Sequence, residues 1–140
     1  DVLYGQRDND SLKGGIGDDS ILGDDGNDIL NGGDGNDTLT GGSGADGMSG
    51  WTGNDKLNGN SGRDTMIGGT GDDRMFGGNE RDIMLGQDGD DYIKGQTGTD
   101  VLSGGPGNDK GVDYALAELG NSSGEIDESF TFYASWIDEV

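Results

Sequence analysis

From residue 5 to residue 112 the chain counts in nines without a slip. Glycine opens all twelve units of this frame, and aspartate fills position six in all twelve. Those aspartates are Asp10, Asp19, Asp28, Asp37, Asp46, Asp55, Asp64, Asp73, Asp82, Asp91, Asp100 and Asp109. Position four is glycine except at Asp8 and Glu80. Position eight is aliphatic from Leu12 to Leu102 and fails only at Gly111. The leading DVLY reads as the tail of one more unit, with Asp1 at position six and Leu3 at position eight. A fixed short period dictates a repeat architecture, because one such unit cannot bury its own apolar residue.

Composition narrows the chemistry. The 140 residues carry 29 acidic and 8 basic side chains, for a formal charge of −21. Only 28% of the chain is hydrophobic and 32 residues are glycine, which is ordinarily the signature of disorder. There are no cysteines and no histidines, which removes disulfides, thiolate or imidazole metal sites and the Ser-His-Asp triad. No apolar run is long enough to span a membrane as a helix. The acidity argues against nucleic acid, whose phosphates demand Lys and Arg. It points to cations.

The spacing agrees. Calcium takes six to eight oxygen ligands from carboxylates and carbonyls. Glycines permit the positive φ that turns carbonyls toward an ion, and the aspartate adds charge at the end of the turn. The next three residues, such as TLT at 38–40, are expected to form a short strand with only the middle side chain inside. Two units then close one flattened coil, and residues 18 apart stack at about 4.8 Å. One core stack is expected to run Leu12, Leu30, Met48, Met66, Met84, Leu102, and the other Ile21, Leu39, Leu57, Met75, Ile93. The methionines are therefore packing residues. Like-charged aspartates also stack, Asp10 on Asp28 and Asp19 on Asp37, and these columns repel unless cations intervene.

The pattern resembles the GGxGxDxUx nonapeptide of the RTX (repeats-in-toxin) family, over about four fifths of the chain. The resemblance implies an all-β fold: a parallel β-roll, a right-handed solenoid of about six two-unit coils over residues 1–112, with a C-terminal cap over 113–140. It implies Ca²⁺ between stacked turns, held by Asp1 and the twelve position-six aspartates together with turn carbonyls. Those carbonyls lie near Gly17, Gly26, Gly35, Gly44, Gly53, Gly62, Gly71, Gly89, Gly98 and Gly107. Twelve turns make ten stacked pairs, and about ten Ca²⁺ would nearly cancel the charge of −21. The resemblance further implies a chain that is unfolded without calcium, leaves the bacterial cytosol through type I secretion machinery, and folds outside the cell.

Positions seven and nine are expected to face outward. Ile29, Ile67, Ile83, Leu85 and Val101 share one outer face, which suggests cover by the tail or by a neighbouring molecule. The opposite face holds Lys56, Arg74, Lys94 and Lys110, either a solubilising surface or a groove for an anionic polysaccharide. Trp51, in a turn, reads as a loop residue rather than a sugar platform. Asp8 and Glu80 strain their turns or add a carboxylate there. Ala45, Arg63, Arg81 and Thr99 depart from Asn or Asp at position five, with little expected consequence.

After residue 112 the period stops. DYALAEL at 113–119 suggests one or two helical turns, ended by Gly120. FTFYASW then alternates, with Phe130, Phe132, Ala134 and Trp136 on one side of a capping strand. The terminal WIDEV reads either as part of that cap or as an uncleaved export signal. No nucleophile and base stand in a catalytic frame. The expected function is a non-catalytic calcium-dependent module of a secreted protein; the mid-repeat start at Asp1 favours a fragment of a protease, lipase, epimerase or toxin. The alternative is a structural cell-surface, matrix or filament subunit built from the same rolls.

Overall fold

The computed structural model describes residues 1–113. Thirteen strands follow one another: β1 Val2–Arg7, β2 Ser11–Ile16, β3 Ser20–Asp25, β4 Ile29–Asp34, β5 Thr38–Ser43, β6 Gly47–Thr52, β7 Lys56–Ser61, β8 Thr65–Thr70, β9 Arg74–Asn79, β10 Ile83–Asp88, β11 Tyr92–Thr97, β12 Val101–Ser103 and β13 Lys110–Asp113. Odd-numbered strands from β1 to β11 pair in order with β13 in a seven-stranded sheet, and β2 to β12 form a six-stranded one. Every pairing is parallel, and no helix occurs among the described residues. The architecture is a β-solenoid of about six coils.

Register follows the period. Leu39 pairs with Leu57, and Leu57 with Met75, each 18 residues on. A one-residue slip would turn the whole apolar column outward, so the inward aliphatic pins each strand. The expected stacks form the core: Ile21, Leu30, Leu39, Met48, Leu57, Met66, Met75, Met84 and Ile93 are buried. Leu3, Leu12 and Leu102 pack against it at the ends and are only partly covered. All four methionines are in this core.

The strands are longer than the expected three residues. Each full one runs six, from position seven through position three of the next unit, as in Thr38–Ser43. The opening glycine therefore lies inside a strand and not in the turn, which has shrunk to positions four to six. Positive φ falls instead at positions two and four, for example +123° at Gly42 and +127° at Gly44. Backbone bonds continue across the bend, with the Gly44 N–H donating to the Ser61 carbonyl at 2.8 Å. The expected cap, helix and terminal strand beyond residue 113 lie outside the described residues.

Candidate metal centre

The position-six aspartates fold inward at both edges of the solenoid. From Asp19 to Asp91, at every ninth residue, they are buried to 4% exposure or less, an unusual fate for a carboxylate. The stacking expected for them is present, in a specific form. Each backbone N–H donates to Oδ1 of the aspartate one coil further on: Asp10 to Asp28 at 2.8 Å, Asp28 to Asp46 at 2.8 Å, Asp46 to Asp64 at 2.9 Å and Asp64 to Asp82 at 2.9 Å. The other edge repeats this from Asp19 to Asp37 at 2.7 Å through Asp91 to Asp109 at 2.9 Å. Asp1 joins the second column through its terminal amine, which pairs with Asp19 Oδ1.

The second oxygen of each carboxylate is left over. Oδ2 of every position-six aspartate from Asp10 to Asp91 is buried with no hydrogen-bond donor. A buried carboxylate without full compensation is costly, and it either takes up a proton or finds a cation. Burial accordingly pushes the Asp55, Asp64 and Asp91 carboxyls up to about 6, and those of Asp73 and Asp82 up to about 7. Stacked neighbours add repulsion, and the backbone N–H bonds offset only part of the rise.

The invariant opening glycine now has a steric reason. A methyl group at Gly59 would lie 2.2 Å from Asp64 Oδ2 and 2.5 Å from the Gly77 carbonyl of the next coil. At Gly23 the corresponding oxygens belong to Asp28 and Gly41, at 2.3 and 2.6 Å. A carboxylate oxygen and a carbonyl oxygen thus converge on the space that the missing side chain leaves. At position four, the carbonyl of one turn points straight at the next. A methyl at Gly44 would meet the Gly26 oxygen at 1.9 Å, and one at Gly53 the Gly35 oxygen at 2.0 Å. The turn carbonyls named from the sequence therefore project from coil to coil, along the same columns as the aspartates.

These donors fit a hard cation. They are oxygens only, and among the described residues the buried Oδ2 atoms from Asp10 to Asp91 have no hydrogen-bond partner. Among the described residues no three carboxylates converge on one point. An ion here would have to rely on backbone carbonyls as well as on aspartates, as glycine-rich turns allow.

Two features escaped the sequence reading. Position five was expected to matter little, yet its Asn and Asp side chains form a ladder of their own. The Asn54 N–H donates to Asn36 Oδ1 at 2.8 Å, Asp72 to Asn54 at 2.9 Å and Asp90 to Asp72 at 2.9 Å. That ladder runs from Asp18 to Asn108 along one edge, while on the other it reaches Ala45, whose N–H donates to Asn27 Oδ1 and whose side chain has no acceptor to offer the next coil. Glu80 also does more than strain its turn. It holds φ at +72°, and its Oε2 accepts the Gly62 N–H at 2.7 Å. Asp8 shares the strained backbone at +74°. The run of Asn and Asp at a fixed offset was the available signal for the ladder; nothing in the sequence pointed to the Gly62 contact.

Fold and site together define a class: a parallel β-roll whose edges are stacked aspartate turns suited to oxygen-seeking cations. The profile of the RTX calcium-binding nonapeptide repeat matches in four copies, over residues 1–30, 22–57, 50–84 and 76–110. The chain belongs to this repeat family, and calcium binding is implied by that membership. No curated protein matches it.

Proposed function

We propose that this chain is the calcium-dependent folding and binding module of a secreted bacterial protein, disordered without Ca²⁺ and folding into the roll outside the cell. The observation that carries the reading is the column of buried Oδ2 atoms with no donor. Without a cation, each coil adds another uncompensated carboxylate to each edge. Chain entropy is large in a glycine-rich sequence, and one aliphatic residue per unit offsets little of it. When calcium binds only the folded state, its binding energy becomes folding energy.

In this reading Asp1 and the position-six aspartates from Asp10 to Asp109 hold the ions, with turn carbonyls completing each shell. The ten stacked pairs among the twelve turns accommodate about ten ions. The switch suits export through type I secretion machinery, since calcium is scarce in the cytosol and abundant outside. The module itself carries out no catalysis. Circular dichroism during calcium titration, followed by chelation, tests the proposal. Cooperative gain of β-structure with calcium, reversed by chelator and weakly reproduced by magnesium, is the expected result. A metal-stripped chain with the same spectrum would sink it.

A second reading, a structural subunit of a surface layer, matrix or filament, draws on one observation. Ile67 pairs with Leu85 and Ile83 with Val101 on the outside of the six-stranded sheet, with Ile29 62% exposed on the same face. Sedimentation in calcium separates the readings: a concentration-independent monomer opposes assembly.

A further inference from the structure

The two edges of the solenoid differ at position five, the outermost point of each turn. One edge carries Asp72 and Asp90 there, and the other carries Arg63 and Arg81. All four residues are exposed. Asp72 and Asp90 stand one above the other: the Asp90 N–H donates to Asp72 Oδ1 at 2.9 Å, and Asp90 Oδ1 accepts the Asn108 N–H at 3.0 Å. Arg63 and Arg81 are likewise 18 residues apart on successive coils, in the turns that lead into the paired strands β8 and β10. With Ala45, where the ladder of that edge stops, they line an open recess of about 330 Å³. Among the described residues, neither arginine is engaged in an ion pair. Both pairs share the strand spacing of about 4.8 Å.

We propose that these edges are the two complementary halves of one contact, and that the partner is a second copy of the calcium-loaded chain lying alongside the first and pointing the same way. Asp72 follows Arg63 by nine residues and Asp90 follows Arg81 by nine, so each Arg–Asp pair occupies a single coil, on opposite edges. Moving a copy sideways, perpendicular to the solenoid axis, therefore brings Arg63 to the neighbour's Asp72 and Arg81 to its Asp90 at once. The two turns of a coil differ in height by half a strand spacing, roughly 2.4 Å, which an arginine side chain spans. The other four rungs set Asn, Ala or Thr against Asn or Asp, so no like charges meet at position five. Beside the turns, Lys56 comes to Ser43 and Arg74 to Ser61. A slip of one coil keeps one Arg–Asp pair instead of two, and joining identical edges sets arginine on arginine or aspartate on aspartate. Arginine holds a carboxylate through charge-assisted bonds that are often bidentate. Exposed pairs contribute little singly, and an edge of turns is narrow, so the contact belongs to the weak class. It joins unlike faces and does not close on itself, so each row keeps one free edge of each kind and grows as an open ribbon. The inference rests on the calcium-folding reading, because a formal charge of −21 keeps copies apart until bound ions offset it.

Sedimentation of the full chain in saturating calcium and low salt tests this, with circular dichroism confirming β-structure in every variant. The average mass should rise with concentration and return to that of a monomer in about 1 M salt, where charges are screened within about 3 Å. Arg63→Gln with Arg81→Gln should lower the association constant about fivefold. Lys13→Gln with Lys94→Gln removes the same charge from mid-strand positions and should change it less than about twofold. Arg63→Asp with Arg81→Asp should stay monomeric alone, and so should Asp72→Arg with Asp90→Arg. An equimolar mixture of these two variants should associate again. If the second of them loses β-structure, Asp72→Asn with Asp90→Asn takes its place; it keeps the Oδ1 acceptors of the ladder and should show the same loss of about fivefold. A folded parent chain that is monomeric at every concentration overturns the proposal. So does association that survives the charge reversals or the high salt, or an equal loss from the mid-strand variant. Failure of the calcium spectrum itself would instead reject the folding reading, and the two failures are distinct.

Discussion

The backbone N–H of Asp46 donates to Oδ1 of Asp64, one coil away at 2.9 Å, while Oδ2 of the same Asp64 carboxylate has no donor at all. One oxygen is thus a structural acceptor, and the other is the one that the proposed cation would take. Asp64→Ala would orphan a buried N–H and remove a proposed metal ligand together. The unmade bond alone costs about 1–3 kcal/mol. The calcium midpoint for folding, followed by circular dichroism, should rise clearly. Asp109→Ala, at the end of its column and only half-buried, should raise it less. Equal shifts would contradict the cooperative column.

Glycines can be sorted by what a methyl would touch. At Gly59 it would press on Asp64 Oδ2 and the Gly77 carbonyl, so Gly59→Ala should destabilise the calcium-loaded roll by about 1–3 kcal/mol. At Gly47 the nearest atom is 3.9 Å away and φ is not positive. Gly47→Ala should therefore gain about 0.4–1 kcal/mol by restraining the unfolded chain. Thermal unfolding in calcium reads both signs, and a destabilised Gly47→Ala would count against the geometry at that strand.

Burial raises several aspartates above their ordinary 3.8, to about 6 at Asp55, Asp64 and Asp91 and about 7 at Asp73 and Asp82. A carboxyl raised by folding favours the folded state most below its unfolded value, and this contribution disappears as pH rises through the folded value. The window is about pH 4 to 7. The calcium-free chain should gain β-structure as pH falls across that window, with protons taking the place of cations. Calcium should bind more weakly at pH 5.5 than at 7.5, because the ion must displace those protons. Proton uptake by calorimetry and ellipticity against pH check both; a metal-free spectrum that is flat between pH 8 and 4.5 rejects the first.

Glu80 combines a strained backbone with a useful bond. Glu80→Ala keeps φ near +72° but deletes the acceptor for the Gly62 N–H, and should cost about 1 kcal/mol. Glu80→Gly relieves the backbone while losing the same bond, and should fall close to the parent. Melting temperatures of the pair in calcium separate the two contributions.

The sequence told much about the roll because its periodicity is itself a set of contacts. Leu39, Leu57 and Met75 lie on one line whatever the details of the turn, since 18 residues per coil and an inward position eight leave no other register. The aspartate columns followed from the same arithmetic. What could not be read was anything set by approach between coils. The strand continues through Gly41 and Gly42 because Asp46 leans over the first of them, a contact that depends on the folded turn. The position-five ladder and the Glu80 contact are likewise bonds from one coil to the next, set by side-chain reach and not by hydropathy. Phe76 and Tyr92 occupy different outward columns, so their ring contact depends on the tilt of each side chain.

Every substantial strand contact joins strands one or two apart in the chain. Length is consequently a free variable: excising or duplicating one 18-residue coil leaves each remaining tile with the same neighbours above and below. Such a molecule can grow or shrink by whole steps during evolution without being redesigned. It can also assemble from whichever end first meets its conditions, because no residue must wait for a distant partner to be made.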